Sequence, residues 1–337
     1  MIPERATASI RDVAQRAGVS VGTVSNVLNA SSRVSPATVE LVRAAIADLG
    51  YVRNEAARQL RAGRSSSVGL VVLDVRNPFF TDVARGAEDE ASTHGLSIIL
   101  GNSDEDAGRE SGYLDLFEEQ RVHGILISPY GDIEPRLAEL RRRGTPVVLV
   151  DRESRDANVS SVSVDDTAGG RLAVAHLLAT GRRSIAFVGG PLSVRQISDR
   201  LAGARAAIAE VDGASLEVIA TDGLTVLEGR RVGEELVARG SRPDAVFAAN
   251  DLVAVGLLQA LVMSGALRVP QDVALIGFDD IDFASATVVP LSSVRQPRHE
   301  IGATALRILR EEAADPDLPP RRIVFQPELV VRASTAR

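Results

Sequence analysis

The sequence predicts an α/β protein: an all-α module at the N-terminus, then a two-lobed core built on doubly wound parallel sheets. Three observations carry this. Residues Ile10 to Leu28, IRDVAQRAGVSVGTVSNVL, hold two short helical patterns broken by Gly18. Arg61 to Ser67, RAGRSSS, is a polar linker. Beyond it, apolar runs alternate with amphipathic stretches in two successive sets, the pattern of parallel sheets covered by helices on both faces. With 337 residues and 45% hydrophobic content, the chain is long enough for two or three proper cores.

Each element has a local reason. Ser9 can cap the first helix, with Asp12 three residues on as its reciprocal partner. Ser20 can cap the second, which opens at Val21. Ala14, Ala17, Val19, Val24 and Val27 are the small apolar residues that pack two helices at a steep angle. Such a pair is a helix-turn-helix, whose second helix enters the DNA major groove. The same pattern also fits an ordinary pair of short core helices. A third helix starts at Ser35-Pro36, buries Val39, Val42, Ala45, Ile46 and Leu49, and ends at Gly50.

In the core, the first set of predicted strands is Val68–Val75, Leu96–Gly101, Val122–Ser128 and Pro146–Val150. The second is Ser184–Gly189, Leu216–Ala220, Asp244–Ala249 and Asp272–Phe278. Thr81–His94, Thr167–Thr180 and Asp251–Ser264 are amphipathic helices between them. The domains expected are 1–64 and 65–337. In such folds ligands bind beyond the carboxyl ends of the strands. Asn77-Pro78-Phe79-Phe80, Asp151-Arg152, Asn250-Asp251 and Asp279-Asp280 all fall there. Carboxylates, amides and guanidiniums suit adjacent hydroxyls, and aromatic faces suit the C–H side of a sugar ring. In a chain with only 3% aromatics, the Phe-Phe pair stands out, although it also fits a core staple, and Asp279-Asp280 also fits a polar turn.

Charge is divided along the chain. Residues 1–64 hold nine arginines against five carboxylates, a net of +4, while the whole chain is −7 and the remainder therefore −11. A basic module on an acidic body suits phosphate binding by the module alone. All 38 basic residues are arginine and there is no cysteine, which excludes disulfides and thiolate metal sites and fits a reducing cytosol. No apolar run reaches the length of a membrane span, and the N-terminus lacks a secretory stretch, so a cytoplasmic protein without membrane contact is expected.

The motifs DVAQRAGVS, TVSNVLN, RVSPATVE and LGYVRNEAARQLR together resemble the headpiece and hinge of the LacI/GalR family of bacterial repressors, and the resemblance extends over residues 8–335. It implies a core like the periplasmic sugar-binding proteins, with the chain crossing between lobes near Ser163, Val294 and Phe325. Lobe 1 would then comprise about 65–163 and 294–325, and lobe 2 about 164–293 and 326–337. It implies base reading by Val21, Gly22 and Asn26, phosphate contacts by Thr23 and Ser25, and a minor-groove wedge at Leu60. Ser20, Asn29 and Arg58 complete the implied DNA-contact set. For the effector it implies Asn77, Phe79, Phe80, Asp151, Arg152, Arg200, Asn250, Asp279 and Gln296. Leu224 departs from the pattern, lying where many relatives carry an aromatic residue.

The function expected is a homodimeric DNA-binding regulator acting on a pseudo-palindromic operator, its affinity set by a small molecule, a monosaccharide or alternatively a purine nucleobase. The absence of a C-terminal leucine heptad favours a dimer over a tetramer. No cofactor or metal is expected. An enzyme is disfavoured: no G-x-G-x-x-G opens a helix after a strand, no G-x-S-x-G is present, and His94, His123, His176 and His299 have no metal-ligand spacing. A sugar receptor for transport would need a signal sequence and would not need the basic module.

Overall fold

A computed structural model describes residues 8–29, 33–51 and 65–336. The chain divides into two compact units with the boundary after Ser65.

The first unit contains α1 (Ile10–Ala17), α2 (Val21–Asn29) and α3 (Pro36–Leu49). Ser9 and Asp12 form the reciprocal cap, the Ser9 N–H donating to Asp12 Oδ2 at 2.7 Å. Ser20 Oγ accepts from the Thr23 N–H at 3.0 Å, and Ser35 Oγ from the Thr38 N–H at 3.3 Å. Gly18 and Gly50 end their helices in the left-handed region, at φ 67° and 58°, where a Cβ would be strained. Val13, Ala14, Val24, Val27, Val39, Val42 and Ala45 form one buried cluster between the three helices.

In the second unit, β1 (Ser67–Val72), β2 (Ser97–Asn102), β3 (Ile125–Ile127), β4 (Val147–Val150) and β5 (Ser160–Val164) build one sheet. β6 (Ser184–Val188), β7 (Ser215–Ile219), β8 (Ala245–Ala248), β9 (Ala274–Asp279) and β10 (Ser292–Arg295) build another. Two late strands complete them: β11 (Arg322–Phe325) pairs parallel with β5, and β12 (Glu328–Val330) pairs antiparallel with β10. The orders are β11-β5-β4-β3-β1-β2 and β12-β10-β9-β8-β6-β7. Within each, the first five strands follow the doubly wound 2-1-3-4-5 order, with its switch point between the first and third strands.

The helices of the first lobe are α4 (Pro78–Ser92), α5 (Ala107–Glu119), α6 (Glu134–Arg142) and α12 (Arg298–Ala314). Those of the second are α7 (Asp166–Ala179), α8 (Arg195–Ala209), α9 (Val226–Ala238), α10 (Asp251–Met263) and α11 (Asp282–Ala286). The eight strands expected from sequence are present, with shifted ends. Val75 lies beyond β1 because its N–H turns to the side chain of Asn102 at 3.2 Å. Asp272 lies outside β9 because its carboxylate is held by Arg268 at 3.1 Å. The chain leaves the first sheet after Val164, returns after Arg295 and passes back after Phe325. Val294 pairs with Phe278 and Leu329 inside β10, so the second passage falls at Gln296, two residues later than expected.

One close approach between helices positions a buried arginine of the core. A Cβ on Gly170 would lie 2.0 Å from the carbonyl oxygen of Arg200, and one on Gly203 would lie 2.0 Å from that of Thr167. Only glycine at both positions lets α7 and α8 touch backbone to backbone, which brings Asp166 at the head of α7 against Arg200 in α8.

Candidate ligand cleft and nucleic-acid interface

The carboxyl ends of both sheets face one cavity of about 40 Å³. It is lined from the first lobe by Asn77, Phe79, Phe80 and Asp151, and from the second by Gln196, Arg200, Leu224, Asn250 and Asp279, among others. Local structure aims these groups. Asn77 caps α4, its Oδ1 accepting from the Phe79 N–H at 3.0 Å. Phe79 and Phe80 follow at the first turn, with ring centroids 5.0 Å apart and planes at 78°. Asp151, just after β4, and Asp279, at the end of β9, have φ 60° and 103°, left-handed conformations uncommon for residues with a Cβ.

Arg200 is the charged centre, with a side chain only 5% exposed. Its Nε donates to Asp166 Oδ1 at 2.7 Å and its Nη1 to the Ala249 carbonyl at 2.8 Å. Asp279 Oδ1 stands 3.9 Å from Nη1, and the guanidinium carbon lies 3.7 Å from the centroid of the Phe278 ring. Burial works against this charge, but Asp166, Asp279 and Asp151 hold the arginine's pKa above its ordinary value. The three carboxylates answer to one guanidinium. Burial pushes Asp151 well up, and Asp166 and Asp279 push it further. Burial takes Asp166 to about 6 in spite of its bond to Arg200. Asp279 is raised by burial and relieved by Arg200, Asn77 and Gln296.

Two hydrogen-bonded pairs cross the cleft. Asn77 Nδ2 donates to Asp279 Oδ2 at 3.0 Å, and Gln196 Nε2 donates to Asp151 Oδ2 at 3.0 Å and to the Asp151 carbonyl at 2.9 Å. These cleft-lining groups therefore hold one another, and the small cavity volume follows from that closure.

Of the effector residues implied by the resemblance, Asn77, Phe79, Phe80, Asp151, Arg200, Asn250 and Asp279 converge on this cavity, together with Leu224. Two of that set do not line it, nor do the strand-end residues Asp251 and Asp280. Gln296 stands behind Asp279, donating to Oδ1 at 2.8 Å. Arg152 turns away to the Gly131 carbonyl and lines a neighbouring cavity, because the left-handed backbone at Asp151 sends the two side chains in different directions. Asn250 also has structural work: its Oδ1 caps α10 at Val253 N, 2.9 Å away. Sequence reading missed Gln196 and Asp166. Gln196 precedes Arg200 by four residues on one helix face, a spacing that could have revealed it.

In the first unit, α2 buries Val24 and Val27 and leaves Ser20, Val21, Gly22 and Asn26 exposed, with Thr23 and Ser25 half-buried. The exposed edge is thus the one a groove-reading helix needs. The side chain of Asn29, and Arg58 and Leu60 altogether, lie outside the described residues. Among the described residues, no cluster of His, Cys, Asp or Glu could hold a metal ion, and no helix is long and apolar enough to cross a membrane.

Residues 9–54 match the bacterial regulatory proteins of the lacI family, and residues 174–335 match a periplasmic binding protein-like domain. The chain is 35% identical to a ribose operon repressor of Halalkalibacterium halodurans over 331 residues, covering 97% of each. The chain belongs to the LacI family. It is also 33% identical to the HTH-type transcriptional repressor PurR of Photobacterium profundum, over 97% of this chain and 98% of that one. In structure it resembles the lac repressor dimer bound to operator and an anti-inducer, with a TM-score of 0.84 at 27% identity, covering 98% of this chain and 100% of the other. This LacI-family chain is a DNA-binding regulator with ligand-controlled operator affinity, not an enzyme; members of the family bind DNA as homodimers and respond to small molecules.

Proposed function

We propose that this LacI-family regulator is a repressor whose effector is a monosaccharide held in the cavity around Arg200. One observation carries the reading: Arg200, Asp279, Asn250 and Asn77 converge on a space walled by Phe79 and Phe80, so fixed polar groups meet aromatic faces. That mixture suits a ring with hydroxyls at its edge and C–H bonds on its face. The similarity to a ribose operon repressor makes D-ribose the first compound to test. A purine nucleobase is the rival ligand.

Operator reading is assigned to Val21, Gly22 and Asn26, with Ser20, Thr23, Ser25, Asn29 and Arg58 on the phosphates and Leu60 as a minor-groove wedge. Only groups of the first kind specify sequence. The effector acts by binding one arrangement of the lobes more tightly than another, since a ligand shifts two states only through differential affinity.

The test is a thermal-shift screen of monosaccharides and nucleobases on the full chain, followed by calorimetry and by operator titration with and without the compound found. The expected result is a monosaccharide that binds one site per chain and changes operator affinity. Phe79→Ala should weaken it at least tenfold. A nucleobase as the sole ligand, or wild-type affinity in Phe79→Ala, overturns the assignment.

A further inference from the structure

The chain crosses from the second lobe back to the first at Gln296, and Arg298 opens α12 just beyond it. Two glycines seat the head of α12 on α4. A Cβ on Gly86 would lie 2.0 Å from the His299 carbonyl oxygen, and one on Gly302 would lie 1.9 Å from that of Val83. His299 adds a contact of 2.9 Å from Nε2 to Asp89 Oδ2. The main chain at Arg298 is therefore fixed to the first lobe. Its side chain reaches the second. Nη1 donates to the Asp280 carbonyl at 2.8 Å, and Nη2 lies 3.8 Å from Asp282 Oδ1. Toward the first lobe, Nε lies 3.2 Å from Asp82 Oδ2.

The acceptor is held as firmly as the donor. Asp280 sits in the left-handed region at φ 52°. Its N–H donates to Ser293 Oγ at 3.0 Å, and its Oδ2 accepts from Arg295 Nε at 2.8 Å. Its Oδ1 lies 2.6 Å from Arg332 Nη1. All three partners belong to the second lobe. Gln296 and Arg298 thus hold successive residues, the Asp279 carboxylate and the Asp280 carbonyl. A guanidinium carries its donors in one rigid plane, and such a bond is lost beyond about 3.5 Å. With both ends anchored, a relative movement of the lobes at this point must stretch either the bond to Asp280 or the contact with Asp82.

We infer that Arg298 is an interlobe pin, a positioning residue that holds the present arrangement of the lobes from outside the ligand cavity. None of Asp82, Asp280 and Asp282 lines that cavity. The pin therefore acts whatever compound fills the cleft, monosaccharide or nucleobase. Ligand-controlled operator affinity requires at least two arrangements of the core, and a contact made in one of them sets the balance before any ligand arrives. Loss of a charge-assisted bond shifts a two-state ratio by at least about tenfold.

The chain has no cysteine, so two introduced thiols can carry spin labels without competition. Asp132→Cys and Ser193→Cys place them at exposed positions in the loops after β3 and β6, one on each lobe. Pulsed dipolar spectroscopy on the full chain without ligand compares this background with Arg298→Met, with Gln196→Ala and with both together. Gln196→Ala removes the pair with Asp151 that crosses the cleft, which leaves the pin's share of the closure measurable. Melting curves check that each chain folds. If Arg298→Met does not fold, Asp82→Asn, which loosens the first-lobe end of the pin, carries the same comparison. The ratio of the longer to the shorter distance component should be at least fivefold higher in the double variant than in Gln196→Ala alone. Operator affinity is read on a fragment obtained by binding-site selection with the wild type. In the double variant it should differ from the wild type's by at least twofold, because it scales with the population of the competent arrangement. A double variant no more open than Gln196→Ala overturns the inference, and so do distances that move while operator affinity stays within twofold of wild type. Neither result bears on the monosaccharide reading.

Discussion

Arg200 tests the electrostatic account of the cleft most directly. Arg200→Met keeps much of the side chain's length and apolar packing but removes the charge. It deletes a 2.7 Å bond to Asp166, a 2.8 Å bond to the Ala249 carbonyl and the face-on contact with Phe278. Removing one partner of a buried pair costs about 3–5 kcal/mol, because the other is left as an uncompensated charge. At roughly 2–4 °C per kcal/mol for a unit of this size, the core's melting temperature should fall by about 6–20 °C at pH 7.5. The loss should depend on pH. Asp166 titrates at about 6 with the arginine present, and its removal drives Asp166 and Asp279 further up. At pH 7.5 the variant must either bury carboxylates or take up protons, at about 1.4 kcal/mol for each unit of pKa change. At pH 4.5 Asp166 already carries its proton in the wild type, so the deficit should shrink. Melting curves of the full chain at both pH values decide it. A deficit below about 2 °C, or one as large at pH 4.5 as at 7.5, would refute the claim that these carboxylates answer to Arg200.

Three further outcomes are expected from the same geometry. In the wild type, the raised Asp166 means that the folded state binds a proton more tightly than the unfolded chain, so this group's contribution to stability is present near pH 4 and lost as pH rises through about 6; Asp166→Asn should remove that part of the slope in a pH series of denaturant melts. Gly170→Ala places a methyl 2.0 Å from the Arg200 carbonyl, so it should cost about 1–3 kcal/mol by chemical denaturation and also weaken effector binding by displacing the arginine. Asn26→Ala should lower operator affinity by about 1–3 kcal/mol and relax preference at one base pair, whereas a uniform loss on all sequences in a binding-site selection would make Asn26 a phosphate contact.

The headpiece was legible in the sequence because its signals are local: Ser9, Ser20 and Ser35 cap their helices, and Gly18 and Gly50 end theirs, within a few residues of where the pattern changes. The eight long apolar strands were legible for the same reason. β5 and β10 were not assigned as strands, since SSVSV and SSVR contain more serine than apolar side chain. Their serines are buried because distant groups satisfy several of them. Ser160 bonds Glu312, Ser293 bonds Asp251 at 2.7 Å, and Ser292 meets Thr335 at 2.7 Å, contacts across 42 residues or more. The site shows the same division. Residues at strand ends were found, while nothing in the sequence separates Asp166 from any other first-turn acid, and only the Gly170–Gly203 approach brings it to Arg200. Arg152 was placed with Asp151 by its position after the fourth strand and by the resemblance, and the left-handed turn at Asp151 sends it to the Gly131 carbonyl instead.

The two late strands set the order in which the molecule can be finished. β5 is made about midway along the chain and β10 much later, but each remains an open sheet edge until β11 and β12 arrive, and those lie only two residues apart near residue 326. During synthesis neither lobe can mature before the other. Both wait with an unpaired strand, the state most prone to pairing with a neighbouring chain. The two lobes are sealed almost together, by one short stretch late in the chain, so a chain interrupted before Arg322 would be left with two exposed edges and no completed lobe.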